Sequence, residues 1–190
     1  MRKSGLLALL ALALLQAQNA HADDDAMWAL LKTSGHVVLL RHSNAPGATP
    51  EPYGIDLKNC AIQRSLDDDG RAQARRVGDA FRKHGITRVR LLSSQFCRAL
   101  ETARLTKLGP VAELPALNQV VLADISGMRE TADKTAKYMK SIPAKQLTVL
   151  VSHVTNILAI AGVNLSSGEM AVVHIDAAGA IAVDGRIMIP

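Results

Sequence analysis

One pattern constrains this chain more than any other. A short, unbroken apolar run ends in a charged or polar pair, and it occurs three times: "HVVLLRH" (36–42), "ITRVRLLSS" (86–94) and "QLTVLVSH" (146–153). The first, short, β-branched and continuous, reads as a buried strand covered on both faces, the second as another strand and the third as a further apolar one. Helical patterns lie around them: "DAMWALLKTSG" (25–35), "LDDDGRAQARRVGDAFRKHG" (66–85), "QFCRALETARLTKLG" (95–109), "RETADKTAKYMKSI" (129–142) and "VTNILAIAGV" (154–163). The second of these opens at an N-cap candidate, Asp67, carries acidic residues first and basic ones later, and stops at Gly85. "GEMAVVHIDAAGAIAVDGRIMI" (168–189) alternates in two runs about Ala178-Gly179 and predicts a hairpin, while 43–60 and 110–127 read as loops. Strands separated by helices predict a three-layer α/β fold with a mostly parallel central sheet flanked by helices and a C-terminal β-hairpin.

Ahead of this pattern stands "MRKSGLLALLALALLQAQNAHA" (1–22). Its basic start, apolar run from Leu6 to Leu15 and Ala20-His21-Ala22 ending match a secretory signal peptide, and the run is too short for the roughly 20 residues of a bilayer span. The expected organisation is a signal peptide, 1–22, and one domain, 23–190. That predicts a periplasmic or secreted protein with no stable membrane insertion after cleavage. The whole-chain charge of +5 falls by two with Arg2 and Lys3, to about +3. Only 3% of residues are aromatic, too few to stack bases, so nucleic acid is not an expected partner. A modest positive field suits an anionic small substrate. An oxidising compartment and an even pair of cysteines, Cys60 and Cys97, permit one disulfide, which would pin the 43–60 loop beside Arg98. Two separate buried thiols are the other reading.

In an open α/β sheet, ligands bind at the carboxyl ends of the strands. Arg41-His42 ends the first strand, Ser93-Ser94 the second with Arg98 one turn later, and Ser152-His153 the third. Taken singly, a histidine at a strand end is more often structural and an arginine on a helix is more often solvated or paired. Two arginines and two histidines at three strand ends instead predict one anion pocket. The chemistry that fits is phosphoryl transfer: a neutral imidazole attacks phosphorus, and guanidinium groups offset the charge on the phosphoryl oxygens. That scheme needs no metal or other cofactor. The histidines show no metal-ligand spacing, Asp67, Asp68 and Asp69 read as capping, and neither a Gly-x-Ser-x-Gly elbow nor a Walker loop is present.

"LLRHSNAPG", "SSQFCRALETA" and "VLVSHVTNI", in that order, resemble the histidine phosphatase superfamily (the phosphoglycerate mutase-like fold), and "SLDDDGRAQA" resembles the start of that family's first long helix. The likeness spans roughly 28–188. It implies that His42 is the nucleophile and that Arg41, Arg98 and His153 bind the phosphoryl group, with Ser43 and Asn44 beside the substrate. The chain departs from the family twice. Ser43 stands where glycine is usual, and the proton-donor segment has no recognisable acidic motif. Asp124 is the candidate there, with Glu130 next and a plain surface role the competing reading. The expectation is an exported phosphatase acting on a phosphorylated small molecule, glycolipid or protein and releasing phosphate, similar to the phosphatases of lipopolysaccharide core heptose phosphate. A non-catalytic phosphate-binding periplasmic protein with the same fold is the alternative. An envelope interaction protein without anion affinity is a third.

Overall fold

Val37, Val38, Leu39 and Leu40 are all buried. A strand with one wet face buries only every second residue, so β1 (His36–Arg41) must be covered on both sides. The computed structural model, which describes residues 24–47 and 54–189, shows how. The other strands are β2 (Arg90–Ser93), β3 (Val111–Glu113), β4 (Thr148–Ser152), β5 (Met170–Ile175) and β6 (Ile181–Ile187), and all six form one sheet in the order β3-β2-β4-β1-β5-β6. Pairs β3–β2, β2–β4 and β4–β1 are parallel, whereas β5 runs antiparallel to β1 and β6 to β5. The helices are α1 (24–30), α2 (Asp68–Lys83), α3 (Cys97–Thr106), α4 (Ile125–Lys140) and α5 (Val154–Ala161).

On one face of the sheet Val38, Leu40, Val149 and Met170 join a core with Trp28, Val77 and Phe81 of α2, and Ala99 and Ala103 of α3. On the other, Val37, Leu39, Leu150 and Val173 join Met139 of α4 and Ile157 and Ile160 of α5. This is the three-layer, mostly parallel architecture with a C-terminal hairpin that the strand pattern predicts. Among the described residues no helix is long and apolar enough to cross a membrane. The expected signal peptide, 1–22, lies outside the described residues.

Local chemistry places the helices. Asp67 caps α2, its carboxylate accepting from Gly70 N at 2.6 Å, and Arg82 and Lys83 occupy the last turn, where the helix dipole favours cations. Gly78 lets α2 lie against α3, since a Cβ there would sit 2.0 Å from Thr106 O. Register then aligns the strand ends: Arg41 pairs with Ser152, and Ser93 with Val151. The chain therefore leaves β1, β2 and β4 at nearly the same level, and the next residues (His42, Ser94 and His153) emerge together.

The structure departs from the sequence reading within 110–127. Val111–Glu113 forms β3, a parallel edge strand on β2 too short for any periodicity to reveal. α4 also begins earlier than the pattern from Arg129 suggests. Asp124 is its N-cap, accepting from Gly127 N at 2.9 Å, and this cap holds a first turn that Gly127 alone would weaken.

Gly78 yields a prediction of sign. Gly→Ala inside a helix ordinarily stabilises by about 1 kcal/mol. Here Gly78→Ala should instead destabilise by about 1–3 kcal/mol, because the added methyl meets backbone rather than a mobile side chain. A urea titration of both proteins decides it.

Candidate active site

His42 is 3% exposed and sits directly after β1. Its Nδ1 lies 2.8 Å from Ser43 O, a carbonyl that can only accept, so Nδ1 carries the proton. Nε2 then bears the lone pair, and Arg98 Nε donates to it at 3.1 Å. Burial first and the Arg98 guanidinium second push His42 down to about 3, so the ring is neutral at physiological pH. A nucleophilic imidazole needs this state: uncharged, one tautomer, lone pair outward.

His153 is 2% exposed at the end of β4, its ring 5.3 Å from that of His42. Arg98 donates to its Nδ1 at 3.2 Å. Ser94 directs its own proton to Asn118 Oδ1 at 3.2 Å, so the 2.8 Å contact between His153 Nε2 and Ser94 Oγ is a donation by the ring. Desolvation, then His42 and Arg98, hold His153 well below the ordinary histidine value.

Arg98 joins the two rings. It is fully buried in the first turn of α3, bonds Gln119 Oε1 as well as both imidazoles, and stacks 4.8 Å over the Phe96 ring. Arg41 is held by Leu165 O at 2.7 Å, while its buried Nε has no hydrogen-bond partner among the described residues. Burial and then Arg64 lower the Arg41 guanidinium from its ordinary value, and Glu169 pulls it back. Arg64 donates to Ala45 O and Gly47 O at 3.1 and 3.3 Å, and its charge also lowers both histidines. Three arginines thus act on one pair of neutral imidazoles, and α3 and α5 both start at the same rim, where helix N-termini favour anions. The arrangement can bind a phosphoryl group and present a nucleophile to it.

The structure gathers Arg41, His42, Ser43, Arg98 and His153. Ser43 N donates to Thr102 Oγ1 at 3.0 Å, and its own hydroxyl is buried with no partner among the described residues. Asn44 is adjacent, but its amide donates to Asp67 at 2.8 Å, and its backbone N is fixed by Gln73 Oε1 at 3.1 Å. Gly70 permits this close approach, since a Cβ there would lie 2.0 Å from Asn44 O. Asp124 is exposed, and its carboxylate is engaged by Gly127 N and Ser126 Oγ at the cap of α4, with no bond to the two histidines or their arginines among the described contacts. The sequence reading assigns no role to Ser94 or Thr102, although both lie in "SSQFCRALETA", and it does not reach Gln119; all three orient the site through hydrogen bonds.

Cys60 and Cys97 are joined by a disulfide across 37 positions. Gln63 Oε1 accepts from Cys97 N at 2.9 Å, and its amide donates to Leu57 O at 3.1 Å, so loop 54–64 is clipped beside Arg98 from two sides. Closing a loop of this length restricts the unfolded chain by about 4 kcal/mol. Reduction, or Cys60→Ser, should lower the urea midpoint substantially and weaken phosphate or vanadate binding; an unchanged affinity would separate the clip from the site.

Both buried histidines titrate near 6.5 when unfolded and far lower when folded. From about pH 6.5 downward the unfolded chain therefore binds more protons. Stability is full above that value and declines as pH falls toward 3. Ring NMR should find His42 neutral with Nδ1 protonated down to pH 5; a midpoint near 6.5 would refute the assignment.

Comparison with known proteins agrees with this geometry. A family profile described as histidine phosphatase superfamily (branch 1) matches residues 37–149. No curated protein sequence matches the chain. Among solved structures, the protein histidine phosphatase SixA complexed with tungstate is 16% identical, with TM-score 0.56, over 80% of this chain and 96% of its own. Phosphoserine phosphatase from Entamoeba histolytica with 3-phosphoglyceric acid is 15% identical, with TM-score 0.60, over 80% and 96%. The mycobacterial glucosyl-3-phosphoglycerate phosphatase with vanadate is 16% identical, with TM-score 0.58, over 80% and 98%. At such identities the structural likeness speaks to fold alone, but the profile covers more than half of the chain, and the chain belongs to the histidine phosphatase superfamily, branch 1.

Proposed function

We propose that this protein is an exported, metal-independent phosphatase that hydrolyses a phosphomonoester or phosphoamide through a phosphohistidine on His42. The observation that carries the reading is the locked tautomer: Ser43 O holds the Nδ1 proton, leaving the Nε2 lone pair beside Arg98. In the first step Nε2 attacks phosphorus, the P–N bond forms and the bond to the leaving group breaks. Arg98, Arg41 and Arg64 bind the phosphoryl oxygens and offset their charge. The hydroxyl of Ser43, buried and without a partner among the described residues, donates to one of those oxygens. Water then attacks phosphorus, the P–N bond breaks and inorganic phosphate leaves. With Asp124 engaged at its helix cap, the proton for the leaving group comes from solvent.

The names of the structural relatives, a protein histidine phosphatase and a phosphoserine phosphatase, support both P–N and P–O substrates. Export is supported by the leader-like 1–22 segment and by the disulfide, which suits an oxidising compartment. A phosphorylated glycolipid of the lipopolysaccharide-core type is the substrate class we favour. Gln119 touches Arg98, and soon after it Val121, Leu122 and Ile125 form an exposed apolar rim at 56%, 56% and 68% exposure. The second reading, phosphate binding without turnover, draws on Ser43 in place of the usual glycine.

Purified protein should hydrolyse an aryl phosphate in EDTA, and acid-labile phosphate should appear on the chain. His42→Ala should abolish both, and Arg98→Ala should lower kcat/KM by roughly 10²–10³-fold. Asp124→Asn should leave kcat within a few-fold of wild type; a loss of a hundredfold would restore it as the acid. Vanadate binding without turnover or phosphoenzyme would favour the binding-protein reading.

A further inference from the structure

At the opposite end of β1 from His42, a second group of side chains converges. His36 opens β1, His174 lies opposite it on β5, and Asp184 is on β6. Five residues at about 3.3 Å each separate His36 from Arg41, so this cluster is some ~17 Å from the phosphate pocket. One ligand-type atom from each residue lies within 4.8 Å of the others. His174 Nδ1 is 2.9 Å from Asp184 Oδ1, and His36 Nε2 is 3.7 Å from Asp184 Oδ2.

The backbone has been adjusted to make this meeting possible. Val172 pairs with Gly185 but Val173 pairs with Val183, so Asp184 is the extra residue of a β-bulge. Strand alternation puts Asp184 on the face of His174, and the bulge adds Gly185 to that same face. A Cβ on Gly185 would meet Met27 Sδ at 2.4 Å, so any side chain there would have to displace that thioether. A bulge beside that glycine aims a carboxylate at two histidines.

The orientation of His36 is also set from behind. Thr33 Oγ1 donates its proton to Leu30 O at 2.7 Å, so its oxygen accepts from His36 Nδ1 at 3.1 Å. A neutral His36 is thereby fixed with its Nε2 lone pair toward the Asp184 carboxylate. Lone pair facing anion is unfavourable unless a proton or a metal cation lies between them. A hydrogen bond that fixes the tautomer of a ligating imidazole from its far nitrogen is the usual outer support of a metal site.

We propose that His36 Nε2, His174 Nδ1 and the Asp184 carboxylate bind one zinc-class divalent ion, with solvent as fourth ligand. Tetrahedral ligation at about 2.05 Å sets ligand atoms about 3.3 Å apart, close to the two separations above. Side-chain exposures of 15%, 37% and 18% for His36, His174 and Asp184 leave the ion a path from solvent. Two imidazoles and one carboxylate suit zinc rather than calcium or magnesium. The ion ties β1, β5 and β6 together at the end of the sheet remote from phosphate chemistry. The proposal is independent of the phosphatase reading.

The test uses untagged protein stripped with EDTA and titrated with ZnCl2 by calorimetry. One zinc per chain should bind saturably, and the thermal midpoint should rise by roughly 5 °C at a hundredfold excess over Kd. Asp184→Asn and His174→Ala should abolish both effects while retaining native circular dichroism and aryl phosphatase activity, whereas His42→Ala should bind zinc normally. Histidine NMR of the unmutated protein needs no variant: zinc should shift the His36 and His174 rings and leave the His42 ring unmoved. Absence of saturable binding, binding that survives in Asp184→Asn, or zinc shifts confined to His42 and His153 would overturn the site and leave the cluster as an ordinary His–Asp pair.

Discussion

The structure depends on one buried guanidinium. Arg98 has no exposed surface, and an isolated charge in such a place costs several kcal/mol unless its donors are satisfied. Its neighbours are arranged to accept: His42 Nε2, His153 Nδ1 and Gln119 Oε1, with the face of Phe96 beneath. Each acceptor must keep a lone pair, so the cation forbids protonation of both imidazoles. The demand then moves outward. Ser43 O takes the His42 Nδ1 proton, and Ser94 Oγ takes that of His153. Arg98 therefore sets two tautomers and the direction in which the His42 lone pair points, and it adds to the burial of the rings in depressing both histidines.

Holding Arg98 there takes much of the fold. The parallel register brings the ends of β1, β2 and β4 level, α3 starts four residues beyond β2, and the disulfide with Gln63 closes the 54–64 loop against that first turn. On the far side, Gln73 bridges Asn44 N and Ser167 O, so the loop after His42 and the turn before β5 are fixed by a single side chain from α2. The rigid parts are helices and strands: His42, Ser94 and His153 each directly follow a strand, Arg41 ends one, and Arg98 sits in the first turn of a helix. Such a site loses little entropy on binding an anion, which is what stabilising a phosphoryl transition state requires.

The two ends of the sheet differ in kind. At the carboxyl ends, cations surround neutral histidines and no carboxylate takes part in the described contacts of those rings. At the other end of β1, a carboxylate meets two histidines across three strands. The first composition suits an anion and the second a cation. The antiparallel pair β5–β6 supplies two of the three residues of the second, with Asp184 on the face of His174 and the bulge beside it.

Much was legible in the residues themselves. Unbroken apolar runs show that strands are covered on both faces, since a wet face would force alternation, and Asp67 and Gly85 mark the ends of α2. Arg41, His42, Arg98 and His153 are readable as one pocket because strand ends share a rim whatever the details of packing. Other features belong to tertiary structure alone. β3 is three residues long and exists only because β2 offers it an edge. The tautomer of His153 depends on Ser94 and Arg98, more than fifty positions away, that of His42 on Arg98 as well as on its neighbour Ser43, and Arg64 acts on the site through space. His36, His174 and Asp184 have no spacing that suggests a ligand set, because register and one bulge bring them together. Local pattern decides which residues are buried and in what element; which donor faces which acceptor is decided only when the elements meet.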